Sequence, residues 1–117
     1  MSQFVRDIPD EPAGQMTFEM ANLRPSTTKL PFVVWVSQKA GARHDVRVMV
    51  AASPQVGQSR MGVFAVRPFA HIAGPRLSPK DEASLEAWIN KNRAAVIDFW
   101  DGDIEYTEDL MSVLQPV

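Results

Sequence analysis

The chain has 117 residues, 45% of them hydrophobic and 22% charged, which suits one globular domain built round one core and leaves too little for two. It contains no cysteine, which excludes disulfides, thiol nucleophiles and thiolate metal sites. The net charge of −2 hides a segregation: residues 24–77 carry Arg24, Lys29, Lys39, Arg43, Arg47, Arg60, Arg67 and Arg76 against Asp45 alone, whereas residues 94–117 carry Asp98, Asp101, Asp103, Glu105, Glu108 and Asp109 with no base. A basic middle and an acidic end are compatible with a nucleic-acid surface, with intramolecular pairing, or with a charged face for a partner.

At the N-terminus, Pro9, Pro12, Gly14, Pro25 and the run Ser26-Thr27-Thr28 interrupt any period, so residues 1–29 read as an extended or disordered arm and residues 30–117 as a single domain. Within the arm, Met16, Phe18, Met20 and Leu23 can lay apolar side chains on the core as a short strand or turn. Asp7, Asp10 and Glu11 stand where a secretory leader has a basic end and an apolar run, and no apolar stretch approaches the roughly 20 residues of a membrane span. A cytoplasmic protein with no membrane contact is expected.

Pro31 to Ser37 is a β-branched and aromatic run without clean alternation, the pattern of a strand covered on both faces. Gly41 supplies the positive φ of a reversal, and Arg43 to Ala51 then alternates, with His44, Val46, Val48 and Val50 on one face and Arg43, Asp45, Arg47 and Met49 on the other. Ser53 to Arg60, with Pro54 and Gly57, reads as a loop. Met61 to Val66 is a further strand, Pro68 interrupts pairing, and Phe69 to Ala73 resumes as an edge strand ended by Gly74-Pro75.

The stretch after Leu77 has a full helix grammar. Ser78 caps, Pro79 occupies the first helical position and Asp81 places negative charge in the first turn. Leu85, Trp88, Ile89, Val96, Phe99 and Trp100 share one face of a helix that runs to Trp100 or Asp101, with Gly102 as its left-handed stop. Asn92 breaks the stripe, so it is either a buried hydrogen-bonder or a sign that the helix end faces a partner. Thr107 caps a shorter helix with Leu110, Met111 and Leu114 as its apolar side. The expected fold is α+β, a three- to four-stranded, mainly antiparallel sheet packed by one long helix and a short C-terminal helix.

No catalytic set converges. A hydrolase needs a nucleophile, a base and an orienting acid, and nothing places a particular Ser near His44 or His71. The carboxylates of Asp101-Gly102-Asp103-Ile104-Glu105 resemble a hard-cation loop in composition only, since the glycine and the closing glutamate of a calcium loop are misplaced. Neither a metal nor a cofactor is expected.

The order of a His-containing strand at His44, further strands, a helix with Trp88, Arg93 and Trp100, and the ending Leu114-Gln115-Pro116 resembles a family of short bacterial proteins of unknown function. That family has a His- and Pro-rich strand motif, of which Arg43-His44-Asp45-Val46 keeps the histidine and lacks the prolines. The resemblance carries no catalytic role. Genes of such proteins often resemble members of toxin–antitoxin-like pairs, which implies a small partner protein.

The reading that follows is a non-enzymatic protein-interaction module, a regulator or inhibitor that occupies another protein's surface. Asp101, Asp103, Glu105, Glu108 and Asp109 form its contact region, and the sheet edge near Phe69 to Ile72 can add a partner's strand or a second copy as a homodimer. The alternatives are a nucleic-acid-binding protein using Arg43, Arg47 and Arg67 on the basic strands, and an enzyme using His44.

Overall fold

The computed structural model describes residues 20–51 and 61–117; the arm before Met20 and the loop expected at Ser53 to Arg60 lie outside the described residues. Five strands, β1 (Met20–Leu23), β2 (Val33–Ser37), β3 (Arg47–Ala51), β4 (Gly62–Val66) and β5 (Phe69–Ala73), form one antiparallel sheet in chain order. A four-residue helix, α1 (Pro25–Thr28), joins β1 to β2, and α2 (Pro79–Lys91), α3 (Arg93–Asp101) and α4 (Thr107–Val113) follow the sheet. The α+β class and the antiparallel order are as expected.

The strand count is five, not three or four. The added strand is β1, from residues that the sequence assigns to the arm: Ala21 pairs with Val36 and Leu23 with Val34, so two small apolar contacts and a backbone ladder bring this short segment onto the sheet. Thr28 and Leu30 are buried behind it, and Thr28 Oγ1 accepts the Leu30 N–H at 3.0 Å.

Alternation builds two unequal layers. Ala21, Leu23, Val34, Val36, Val48, Val50, Phe64 and Val66 face the helices and pack on Leu85, Trp88, Ile89, Val96, Phe99, Trp100 and Leu110. On the reverse face, Val33, Trp35, Ala51 and Met61 form a smaller cluster, so β2 is covered on both sides as its unbroken apolar run implies. The turn at Gly74 requires glycine: φ is +73°, and a Cβ there would overlap the Met61 carbonyl oxygen.

The long helix begins as its sequence dictates. Ser78 Oγ accepts the Asp81 N–H at 3.1 Å, Pro79 opens the first turn, and Glu82 reaches back to accept from Leu77 N–H and from Nε and Nη2 of Arg76. It does not run unbroken to Trp100. Asn92 leaves helical geometry at φ −112°, ψ 16°, and divides the helix into α2 and α3. Its side chain turns back at the same point, so that Nδ2 donates to the Trp88 carbonyl alongside the Asn92 backbone N–H, both at 3.0 Å. Gly102 ends α3 at φ +88°, as expected. Thr107 is the first residue of α4 and not its cap, a place taken by Tyr106 in extended geometry. Among the described residues no helix is long and apolar enough to cross a membrane.

Candidate functional site

Two surfaces collect the residues singled out by chemistry, and the loop from β2 to β3 lies between them. The first is the acidic turn. The C-terminus of α3 is closed by Gly102, after which the N–H groups of Asp103 and Ile104 both donate to the Asp98 carbonyl, at 2.8 and 3.1 Å. Ile104 packs on the core, and Gln38 Nε2 donates to the Glu105 carbonyl at 2.7 Å. The backbone of the turn is thus fixed from inside while Asp101, Asp103, Glu105, Glu108 and Asp109 all remain exposed. Among the described residues the ion pairs are Asp45–Arg67 and Arg76–Glu82, so none of these five carboxylates is paired.

Exposed apolar side chains accompany the acids, and they are what sequence reading did not single out. Tyr106, Met111, Val113 and Val117 are between 37% and 54% exposed. Met111, expected on the packed side of α4 with Leu110 and Leu114, points outward instead. A cavity of about 280 Å3 beside them, between α3 and α4, is lined by Ala94, Ala95, Ile104 and Val113 with Lys91 and Asp98 at its rim. A periodicity count finds only the buried member of such a short helix, because two turns give too few positions to tell a core stripe from an exposed one.

The second surface is a cleft of about 370 Å3 at the end of the sheet where Met20 pairs with Ser37. Met20 and Met49 give it apolar sides, the loop from Gln38 to His44 walls it, and Trp100 reaches it from α3. The Lys39 N–H donates to the Trp100 carbonyl at 2.9 Å and the Ala42 N–H to the Lys39 carbonyl at 2.8 Å, which ties the loop to the helical layer. Ala40 and Gly41 both take positive φ, +46° and +81°, to make the reversal.

The three arginines of the nucleic-acid reading do not share one free face. Arg67 is held by Asp45 through paired bonds of 2.8 Å, Arg47 lines the cleft, and Arg43 is exposed on the loop. Hydrogen bonding from Arg67, helped by the Val46 N–H, holds the Asp45 carboxyl at about 2, below its ordinary 3.8; the same bond raises the Arg67 pKa, with Asp101 adding to the effect from nearby. A carboxyl depressed on folding stabilises the fold above its unfolded value, and that contribution is lost as pH falls through about 2. In an NMR carboxyl titration Arg67→Ala should move the Asp45 midpoint up towards 3.8, and an unmoved midpoint would refute the pairing.

His44 precedes β3 instead of sitting in it. Its ring lies 5.4 Å from that of Trp100 and its Nδ1 is 2.8 Å from the Asp45 carbonyl oxygen, and among the described residues no carboxylate bonds to it as an orienting acid. Among the described residues no group of three or more His, Asp or Glu can hold a metal ion. Trp88 and Trp100, two of the helix residues behind the family resemblance, are buried, and Arg93 is exposed at the start of α3. No family model, curated protein or solved structure matches this chain. The resemblance therefore rests on those sequence features alone.

Proposed function

We propose that this protein is a non-enzymatic interaction module, a regulator or inhibitor that works by occupying a partner protein's surface with the face formed by residues 101–117. The observation that carries the reading is the coincidence, on one short segment, of five unpaired exposed carboxylates with exposed Tyr106, Met111, Val113 and Val117. Aromatic and Met side chains ringed by charge are the composition of a binding patch, in which the apolar atoms supply affinity and the charges supply steering and choice of partner. The hydrogen-bonded turn supports the same reading, because a fixed backbone has less order to lose on binding. The partner it fits is basic with an apolar centre. The outer edge of β5, where Ile72 is 48% exposed, is the place where a partner's strand or a second copy would add.

Affinity capture from the native host with mass spectrometry tests this. The parent chain is expected to retain a specific partner that the triple variant Asp101→Ser, Asp103→Ser, Glu105→Ser loses, and whose binding weakens as salt rises. A partner indifferent to all three changes would sink the role given to the acidic turn. Nucleic-acid binding is less well supported, since Asp45 already occupies Arg67 and the acidic turn would repel the same ligand. Gel shifts at low salt that show binding lost on neutralising Arg43 and Arg47 would reverse that order.

A further inference from the structure

We propose that the cleft between the Gln38–His44 loop, β3 and Trp100 binds a small organic anion, an oxyanion head of carboxylate or phosphate carried on a flat apolar body. The cleft's volume of about 370 Å3 is at the lower end of the range for small-molecule sites, the size of a one- or two-ring ligand. Lys39, His44 and Arg47 line it and, among the described residues, no carboxylate does. Arg47 is half buried on β3 and, among the described residues, makes no side-chain hydrogen bond or ion pair. A guanidinium held partly out of water without a counter-charge is unfavourable, and an anion supplies both the charge and two acceptors for its fork.

The neighbouring arginine shows what is missing. Arg67 has its fork filled by Asp45, and because Asp45 is engaged there it is not the counter-ion of Arg47. The apolar part of the ligand is set by Met20 and Met49, and a planar body stacks on the exposed His44 ring, which lies 5.4 Å from the buried Trp100 ring behind it. The loop is already held by its one bond to the Trp100 carbonyl and by the Ala42–Lys39 turn, so the site needs little ordering before it binds. It uses none of the carboxylates of residues 101–109, so this inference and the interaction reading fail separately.

Calorimetric titration of the full chain decides it, with phenylacetate and phenyl phosphate as probes and phenylacetamide and inorganic phosphate as controls. Saturable binding of at least one aryl anion is expected, about tenfold or more tighter than either control, since a charge-assisted fork and an apolar body are both needed. Whichever aryl anion binds more tightly names the head group. Arg47→Gln and Lys39→Gln should each weaken that binding about fivefold or more at unchanged melting temperature. Lys39 is exposed on the loop, so its variant keeps the test open if Arg47→Gln does not fold. No binding of either aryl anion at millimolar concentration, equal binding of phenylacetamide or of inorganic phosphate, or folded variants that bind like the parent would each overturn the proposal.

Discussion

Trp88→Ala is expected to lower the free energy of unfolding by about 3–5 kcal/mol, at the upper end for a single core truncation. Trp88 is fully buried where α2 meets the sheet, among Leu85, Ile89 and Phe99, and its removal leaves a cavity that neighbours on two secondary-structure layers cannot close together. Its indole nitrogen adds a second, separable term. Nε1–H is buried without a hydrogen-bond partner among the described residues, so part of what the ring contributes through packing is offset by an unmet donor. Trp88→Phe keeps most of the apolar contact and removes that donor, and should cost less than half as much as the alanine change. Denaturant titration of both variants checks the pair of values. A loss below roughly 1 kcal/mol for alanine would mean that the stripe is not the core.

That stripe, with its cap and its glycine stop, was legible because each signal is local: Ser78 bonds three residues ahead, Pro79 needs only its own φ, and the apolar positions repeat within a turn or two. The strands from Val33 to Ala73 were legible for the same reason, as alternation and turn residues. What was left open between strand and turn, or escaped reading, depends on distant residues. Met20–Leu23 is a strand only because β2 offers it a ladder; Met-Ala-Asn-Leu has little intrinsic strand preference. The acidic turn was visible as a run of charge, but its exposed Tyr106, Met111, Val113 and Val117 were not, since outward and inward apolar residues look alike in a segment of two turns. The cleft was least visible of all, because it exists only where a loop after β2 meets the end of α3 through the Lys39–Trp100 bond. The basic residues near it were counted as a strand face, although Asp45 had already taken one of them.

Asn92 joins the core to the acidic face, and its replacement gives the second large expected effect. The residue is 3% exposed, as one of its two sequence readings requires, and the other end of its side chain explains why an amide stands in an apolar stripe. Nδ2 donates to the Trp88 and Gln115 carbonyls at 3.0 and 2.9 Å, while Oδ1 accepts the Gln115 N–H at 2.7 Å. This two-way bond to one backbone residue, which a strand neighbour would ordinarily supply, holds the chain after α4 against the α2–α3 junction. Lys91 Nζ to the Pro116 carbonyl and the Val117 N–H to the Thr28 carbonyl, both 2.9 Å, extend the tether. Asn92→Ala removes three bonds at once and should cost about 2–3 kcal/mol, with faster amide exchange at Gln115 and Val117. Asn92→Asp keeps Oδ1 but sets a second, charged oxygen against two carbonyls, so it should cost at least as much although it is nearly the same shape. If the face of residues 101–117 docks a partner as one surface, Asn92→Ala should also weaken that binding while every carboxylate of the acidic turn is intact. Wild-type affinity in a variant whose Gln115 amide has lost protection would separate the tail from the docking surface and confine the contact to Asp101 through Asp109.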